Sequence, residues 1–138
     1  MDETVKAWAA GIFDGEGSAL IEERVGGYYQ IFVAVVNMDK RILEPFQWYW
    51  HGIIHGKLDT LWFEGQDAVN FLTDILPYLI GKKEQCMVVR DAIIALEAEK
   101  LNGIRGASKV VAPYHKQLKS IFIPTKGKMG PNKQGISP

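Results

Sequence analysis

The chain has 138 residues, of which 47% are hydrophobic and 23% charged, so its composition is typical of a single folded domain and excludes a disordered protein. No apolar run is long enough for a membrane helix, and the single cysteine excludes an intrachain disulfide and a cysteine-based zinc site. The polar start Met1–Thr4 does not resemble a secretory signal. We therefore expect a cytoplasmic or organellar protein that is not secreted. The net charge of zero is unevenly distributed, because residues 1–80 carry five basic and twelve acidic side chains whereas residues 81–138 carry eleven basic and four acidic ones.

The N-terminal third predicts a helix followed by a hairpin. Thr4 is expected to cap the helix, which must end near Gly15 because glycine breaks helices. The Gly26–Gly27 pair is a hairpin turn signal, and the flanking segments 18–24 and 28–37 have the residues of strands. These two strands are expected to pair antiparallel.

The middle of the chain predicts a second helix and a second hairpin. Asn37 or Asp39 can cap the helix, which runs to about Trp50 with a kink at Pro45. The second hairpin is expected at 52–57 and 60–64, with its turn near residues 58–59.

The C-terminal part predicts further helices and a tail. Apolar residues at helical spacing indicate a helix over 66–79, which Pro77 bends or ends, and a long amphipathic helix over 82–101. Its inward residues are expected to be Cys86, Val89, Ile93, Leu96 and Leu101. A short helix at 114–121 is followed by residues 124–138, which are rich in Gly, Pro and Lys. This basic end fits either a polyanionic partner or a solvated flexible tail.

The order of elements predicts an α+β fold of the type αββαββα. The two hairpins join into one antiparallel sheet, with helices on one face and the other face open for a partner to lie on. We expect one domain over residues 1–123 and a basic tail over residues 124–138.

The end of the first helix carries the residues of greatest chemical interest. Ala7, Gly11 and Gly15 are four apart and form a ridge of small residues, which allows a second copy of the same helix to pack closely across a two-fold axis. Asp14 and Glu16 lie at the negative end of the helix dipole, where acids are disfavoured for stability. Two copies of Glu16 near the axis would need a metal ion, or one of them would have to take up a proton, and oxygen-only ligands suit Mg²⁺. Spacing alone also fits a tightly packed helix followed by a simple turn.

The segment Ala9–Gly17 resembles the signature of the LAGLIDADG homing endonucleases. Gly11, Asp14 and Gly17 are identical to the motif, Glu16 replaces its second Asp, and Ala9 stands where the family has Leu. The element order over about residues 5–100 is also that of the family. A single motif in a short chain is similar to the members that act as homodimers.

This resemblance implies an active site assembled from several elements. Glu16 would bind the catalytic metal with help from the Gly15 carbonyl, and Asn37 would hold active-site water. Arg41 would be a basic residue of the site, and Lys82, with Lys83 as a reserve, would lie near the scissile phosphate. The alternative roles are a strand end or helix cap for Asn37 and a solvated helix residue for Arg41. The resemblance also implies a dimer interface, for which we expect Ala7, Ala10, Gly11 and Asp14, the last being more often structural.

The resemblance further implies that the open face of the sheet reads DNA. A β-ribbon fits the major groove, where Gln, Arg and Glu can bond to base edges. The candidates are Glu22, Arg24, Tyr28, Gln30, His55, Lys57 and Asp59, together with the apolar Leu20, Phe32 and Leu61. A register shift of one residue would invert this list.

The resemblance therefore implies a homodimeric, Mg²⁺-dependent endonuclease that makes double-strand breaks in a long, partly palindromic DNA site. Mn²⁺ or Ca²⁺ would substitute in metal binding, and neither a membrane nor a small-molecule cofactor is expected. The alternative is a catalytically inactive protein of the same fold that binds DNA or RNA, as a regulator or an intron maturase.

Overall fold

The computed structural model describes residues 1–55, 59–103 and 107–129. Within these ranges the helices and strands follow the predicted order, including the helix at the C-terminus. They are α1 (Glu3–Glu16), β1 (Gly17–Arg24), β2 (Tyr28–Val36), α2 (Lys40–Trp50), β3 (Ile53–Ile54), β4 (Thr60–Phe63), α3 (Gly65–Ile75), α4 (Lys83–Leu101) and α5 (Ala112–Met129), with short 3-10 helices at Leu76–Tyr78 and Ala107–Val111. No helix in the described ranges is both long and apolar enough to cross a membrane.

The four strands form one antiparallel sheet in the order β1–β2–β4–β3, which confirms the predicted fold class. The β1–β2 hairpin turns through Gly26 and Gly27, whose φ angles of 97° and 79° favour glycine. Its register pairs Gly17 with Val35 and Arg24 with Tyr28. The short β4 joins the hairpin beside residues 33–36 of β2.

The core lies between the helices and one face of the sheet. Aromatic rings dominate it, because Phe13 of α1, Phe46 of α2 and Phe63 of β4 all surround Phe71 of α3. The Phe63 and Phe71 rings stack with their centres 4.1 Å apart. Trp50 packs on the same cluster, and its Nε1 donates a hydrogen bond to Asp74 at 2.9 Å. Burial of these side chains holds the helices on the sheet.

The other face of the sheet, called the open face below, is exposed or half-exposed in the described chain. Alternation along each strand places Gly17, Ala19 and Ile21 in the core, so their neighbours point outward. The outward residues of the first hairpin are Ser18, Leu20, Glu22, Arg24, Tyr28, Gln30, Phe32 and Ala34. For the first hairpin, the predicted set of side chains on the open face is therefore confirmed.

For the second hairpin, the prediction of which side chains lie on the open face is wrong for one of its two strands. The prediction placed odd-numbered residues of both strands on the open face, but the register pairs Ile53 with Trp62 and Ile54 with Leu61. Paired residues share a face, so the open face carries odd residues of β3 and even residues of β4. Leu61 is fully buried beside Val35, and its predicted exposure is wrong.

Three further details of the helices differ from the predictions. Asp2, rather than Thr4, caps α1, and its side chain accepts a hydrogen bond from the Thr4 N–H at 2.8 Å. Leu101 is 87% exposed at the last residue of α4, so its predicted burial is wrong. The C-terminal helix α5 extends to Met129, past its predicted end at Ile121, and includes the first residues of the predicted tail. Residues 130–138 lie outside the described chain.

Candidate functional site

Glu16 and Asn37 meet at the end of the sheet where α1 enters β1. Glu16 is the last residue of α1 and is exposed, and Asn37 directly follows β2. The Asn37 Nδ2 donates a hydrogen bond of 2.5 Å to the Glu16 Oε2. Asn37 is itself fixed, because its Oδ1 accepts from the Asp39 N–H and its own N–H donates to the Asp59 carbonyl oxygen, each at 2.8 Å. The amide therefore has a defined orientation and holds the carboxylate in place.

Lys82 caps the C-terminal end of α1. Its Nζ donates to the carbonyl oxygens of Phe13 at 3.1 Å and Gly17 at 2.7 Å, on either side of Glu16 in sequence. A cation at this end of a helix offsets the negative end of the dipole and the nearby carboxylate. This contact gives Lys82 a structural role that sequence reasoning missed, because the partners of its Nζ lie 65 and 69 positions away in the sequence.

Asp14 makes the reciprocal contact with the start of α4. Its carboxylate accepts backbone N–H bonds from Ile80 at 2.8 Å, Gly81 at 3.1 Å and Lys82 at 2.9 Å. The N-cap position of α4, Lys82, provides no side-chain cap of its own. Asp14 therefore acts as a cap from a distant part of the chain, and it fixes α4 to the end of α1 that carries Glu16.

Arg41, the other basic candidate, lies in the first turn of α2 and pairs with the Asp39 N-cap. Its Nε and Nη2 donate to the two carboxylate oxygens at 3.0 and 2.8 Å. The side-chain hydrogen bond with Arg41, helped by the Arg41 backbone N–H, lowers the pKa of Asp39, and the same pair raises the pKa of Arg41. The Arg41 side chain is 86% exposed, so it is accessible to a ligand but already holds a carboxylate partner.

Oxygen atoms of the type that Mg²⁺ prefers are present at this end of α1. They are the exposed Glu16 carboxylate and the main-chain carbonyl of the neighbouring Gly15. Within the described ranges, no group of three or more His, Cys, Asp or Glu side chains comes together to hold a metal ion. These two oxygen donors fit a divalent ion chemically.

The ridge of α1 is exposed, as its sequence suggests. Ala7, Gly11 and Gly15 face outward, and a Cβ added at Gly11 or Gly15 would meet no atom of the described residues within 4 Å beyond the adjoining backbone of α1 itself. The fold of one chain therefore does not require these two glycines. Ala10, predicted for the dimer interface, is instead fully buried in the core and has no surface to offer a second copy.

The structure brings four of the seven predicted DNA contacts together at the outer end of the first hairpin. Glu22, Arg24, Tyr28 and Gln30 are all exposed on the open face. Arg24 forms an ion pair with Glu22 at 3.0 Å, and its Nε donates to the Gln30 Oε1 at 2.9 Å. These residues form a connected polar cluster rather than separate side chains.

The remaining three predicted DNA contacts belong to the second hairpin. His55 is exposed, and its ring centre lies 4.5 Å from that of Trp62, an open-face residue. Asp59 directly precedes β4, where the odd-numbered residues face the core and not the open face. It is half-buried, and its carbonyl oxygen accepts a hydrogen bond from the Asn37 N–H. Lys57 lies outside the described residues.

Gln85 and Cys86 are buried residues of α4 that lie close to the site. The Gln85 side chain is 8% exposed, and its Nε2 donates to the Ala19 carbonyl oxygen at 2.9 Å, which ties α4 to β1. Its spacing of four and eight residues from Val89 and Ile93 is a helical signal that marks it as inward-facing. Burial, followed by the nearby Asp14 charge, raises the pKa of the Cys86 thiol to about 12, in agreement with the predicted role as a small buried residue.

The fold resembles that of solved DNA-bound enzymes. The homing endonuclease I-CvuI, in complex with its target in the presence of 2 mM Ca, has 24% sequence identity and a TM-score of 0.63, over 85% of this chain and 81% of that one. The same enzyme with the I-CreI target in the presence of 2 mM Mg, where the DNA is not cleaved, has 24% identity and a TM-score of 0.57, over 85% of this chain and 96% of that one. Neither a protein-family model nor a curated protein sequence matches the chain. The chain therefore has the fold of a homing endonuclease.

Proposed function

We propose that the chain is a sequence-specific DNA endonuclease that acts as a homodimer, requires Mg²⁺ and makes double-strand breaks in a long, partly palindromic site. The observation that carries this proposal is the Glu16–Asn37 pair, which presents an oriented carboxylate at the end of the open face. A carboxylate next to a surface that fits DNA is the arrangement that metal-assisted phosphodiester hydrolysis needs. The shared fold with DNA-bound endonucleases supports the same function.

Double-stranded DNA is the partner that suits the open face. The two long strands form a twisted ribbon that fits the major groove, and the outer half of this ribbon carries hydrogen-bonding side chains. The face itself is not strongly basic. Phosphate contacts would come from the basic C-terminal half, where Lys116 and Lys119 of α5 are exposed.

A second copy of the chain is the partner that suits the ridge of α1. Gly11 and Gly15 leave room for close approach of another backbone although their own chain does not need that room. Ile80, whose N–H binds Asp14 at the end of α1, is 91% exposed and would be covered in the same contact. Two-fold symmetry would then supply two copies of Glu16 and predict a partly palindromic site.

The residues of the site have distinct roles in this mechanism. Glu16 and the Gly15 carbonyl would hold the metal, with DNA phosphates and the second copy completing its ligands. The bound ion would supply positive charge to the phosphodiester under attack. Asn37 orients the Glu16 carboxylate, and Lys82 reduces the electrostatic cost of the carboxylate at the helix end. The exposed Arg41 would contact a phosphate while it remains paired with Asp39.

Cleavage of a randomised DNA library tests this proposal. The chain is incubated with Mg²⁺, and in parallel with Mn²⁺ or Ca²⁺, and the DNA ends are sequenced. We expect defined double-strand breaks that disappear with Glu16→Gln and decrease about 10- to 100-fold with Asn37→Ala, the size of effect seen when a group that orients a metal ligand is removed.

Glu23→Gln is the matched control, because Glu23 is an exposed carboxylate at the far end of β1. Its cleavage should equal that of the unmodified chain. Enrichment of bound sequences without breaks in Mg²⁺ or Mn²⁺ would reject the enzyme and leave the alternative of a DNA- or RNA-binding protein. Equal loss of cleavage with Glu23→Gln would reject the specific role of Glu16.

A further inference from the structure

Arg24 at the end of β1 is held in one orientation by three contacts. The Gln30 Oε1 accepts a hydrogen bond from its Nε at 2.9 Å, and the Glu22 Oε1 lies 3.0 Å from its Nη2. Its guanidinium carbon lies 5.6 Å from the centre of the Phe32 ring. A guanidinium restrained on three sides loses less conformational entropy when it binds a ligand than a free side chain does.

These contacts leave one edge of the guanidinium available. Gln30 accepts from Nε and Glu22 binds Nη2, whereas Nη1 has no acceptor among the described residues. Three hydrogens remain, two on Nη1 and one on Nη2, and one from each nitrogen can act together as a fork of two donors. In the major groove only guanine presents two acceptors on one base, N7 and O6, while adenine presents a donor at N6.

The position of Arg24 along the strand sets where this contact falls on DNA. Arg24 is eight residues beyond Glu16, which at about 3.3 Å per residue is roughly 26 Å along β1. Base pairs rise about 3.4 Å each, and strand twist shortens the projection, so the span is about 6 to 8 base pairs. Between Glu16 and Glu22 the open face of this hairpin carries the apolar side chains of Leu20, Phe32 and Ala34, with the hydroxyl of Ser18 as a hydrogen-bonding group.

We infer that Arg24 selects a guanine about 6 to 8 base pairs from the cleaved phosphate in each half of the site. This inference rests on the proposed function and adds to it the identity and place of one recognised base. Glu22 and Gln30 are positioning residues for this contact. The inner part of the first hairpin is mainly apolar by contrast, so it would discriminate bases chiefly through contacts such as that with the methyl group of thymine.

The test is selection of bound and cleaved sequences from a random DNA library by the full chain and two variants. Arg24→Lys keeps the charge but removes the fork, and Arg90→Lys is the matched control, because Arg90 lies on α4 and pairs with Asp91. We expect a guanine at one fixed position per half-site, counted from the cut or from the two-fold centre of the bound site. With Arg24→Lys, discrimination at that position should fall about 10- to 100-fold while the other positions keep their preferences. Arg90→Lys should leave every preference unchanged.

Three results would overturn the inference. The guanine preference could survive Arg24→Lys, no guanine could be selected at that distance, or all positions could lose preference together. Circular dichroism of each variant separates the last result from unfolding, and a variant that fails to fold is replaced by Arg24→Gln. If the unmodified chain selects no sequence and cuts nothing, the proposed function fails as well. Selection and cleavage without the guanine reject only the inference.

Discussion

Replacement of Asp14 by asparagine should destabilise the fold by about 2 kcal/mol. The carboxylate accepts three backbone N–H bonds at the start of α4. Asparagine keeps one acceptor oxygen, so it loses at least one of these bonds and the charge that strengthens the others. Hydrogen bonds to charged groups contribute about 1.5–3 kcal/mol, and a charge at a helix N-terminus about 0.3–1 kcal/mol. Ile80 and Gly81 are exposed, so their released N–H groups form hydrogen bonds to water instead. The expected loss of unfolding free energy therefore lies near the lower end of the summed ranges.

Urea unfolding at a fixed protein concentration measures this effect, because the stability of a dimer depends on concentration. With a slope of about 2 kcal/mol per molar urea, the midpoint should fall by roughly 1 M. Asp91→Asn is the control, since its ion pair with Arg90 is at the surface and contributes about 0.5 kcal/mol. A midpoint for Asp14→Asn within about 0.2 M of the unmodified chain would refute the reasoning. Lys82→Met should destabilise the same junction, so the double variant should lose less than the sum.

The remaining predictions concern three other residues. Gly11→Leu should leave the monomer folded and abolish the proposed dimer, as measured by sedimentation; a persisting dimer would contradict the ridge contact. Gly17→Ala places a Cβ 2.3 Å from the buried Phe13 ring and should cost about 1–3 kcal/mol in urea unfolding, whereas an unchanged midpoint would mean that the ring can move. Cys86 should react with thiol reagents only after unfolding. Because burial raises the pKa of the folded thiol to about 12, stability should fall as the pH rises above about 9, and Cys86→Ala should reduce this slope; the raised pKa of Tyr78 contributes the same sign and would remain.

The arrangement of helices and strands was predictable because its signals are local. Glycines at 26 and 27 fix the first turn, and alternation over the long strands fixes which side chains of the first hairpin face outward. The second hairpin gave no such signal, since β3 has only two residues and cannot show an alternation. Its facing depends on the number of residues in the connection, and the prediction for Leu61 failed for that reason.

The site was predictable only in part, because its contacts join distant parts of the chain. Glu16 was indicated by its place at the negative end of α1 as well as by the family resemblance, Asn37 by the resemblance, and the structure brings their side chains into contact. The resemblance gave no indication that Lys82 caps α1, since that bond joins residues 65 positions apart in sequence. Sequence periodicity describes the faces of single elements, but it does not describe which helix ends meet.

The junction of α1 and α4 explains how acids persist at an unfavourable helix end. The α1 dipole disfavours Asp14 and Glu16, yet Asp14 binds the positive N-terminal end of α4, and the Lys82 ammonium binds the carbonyls that flank Glu16. Each helix therefore neutralises the terminus of the other, and Glu16 is left exposed with the Asn37 amide as its hydrogen-bond donor within the described residues. Binding of the proposed metal ion at Glu16 would thus not disturb the bonds that hold the junction. This separation of the stabilising carboxylate from the proposed metal ligand predicts that Glu16→Gln, unlike Asp14→Asn, leaves the free energy of unfolding nearly unchanged.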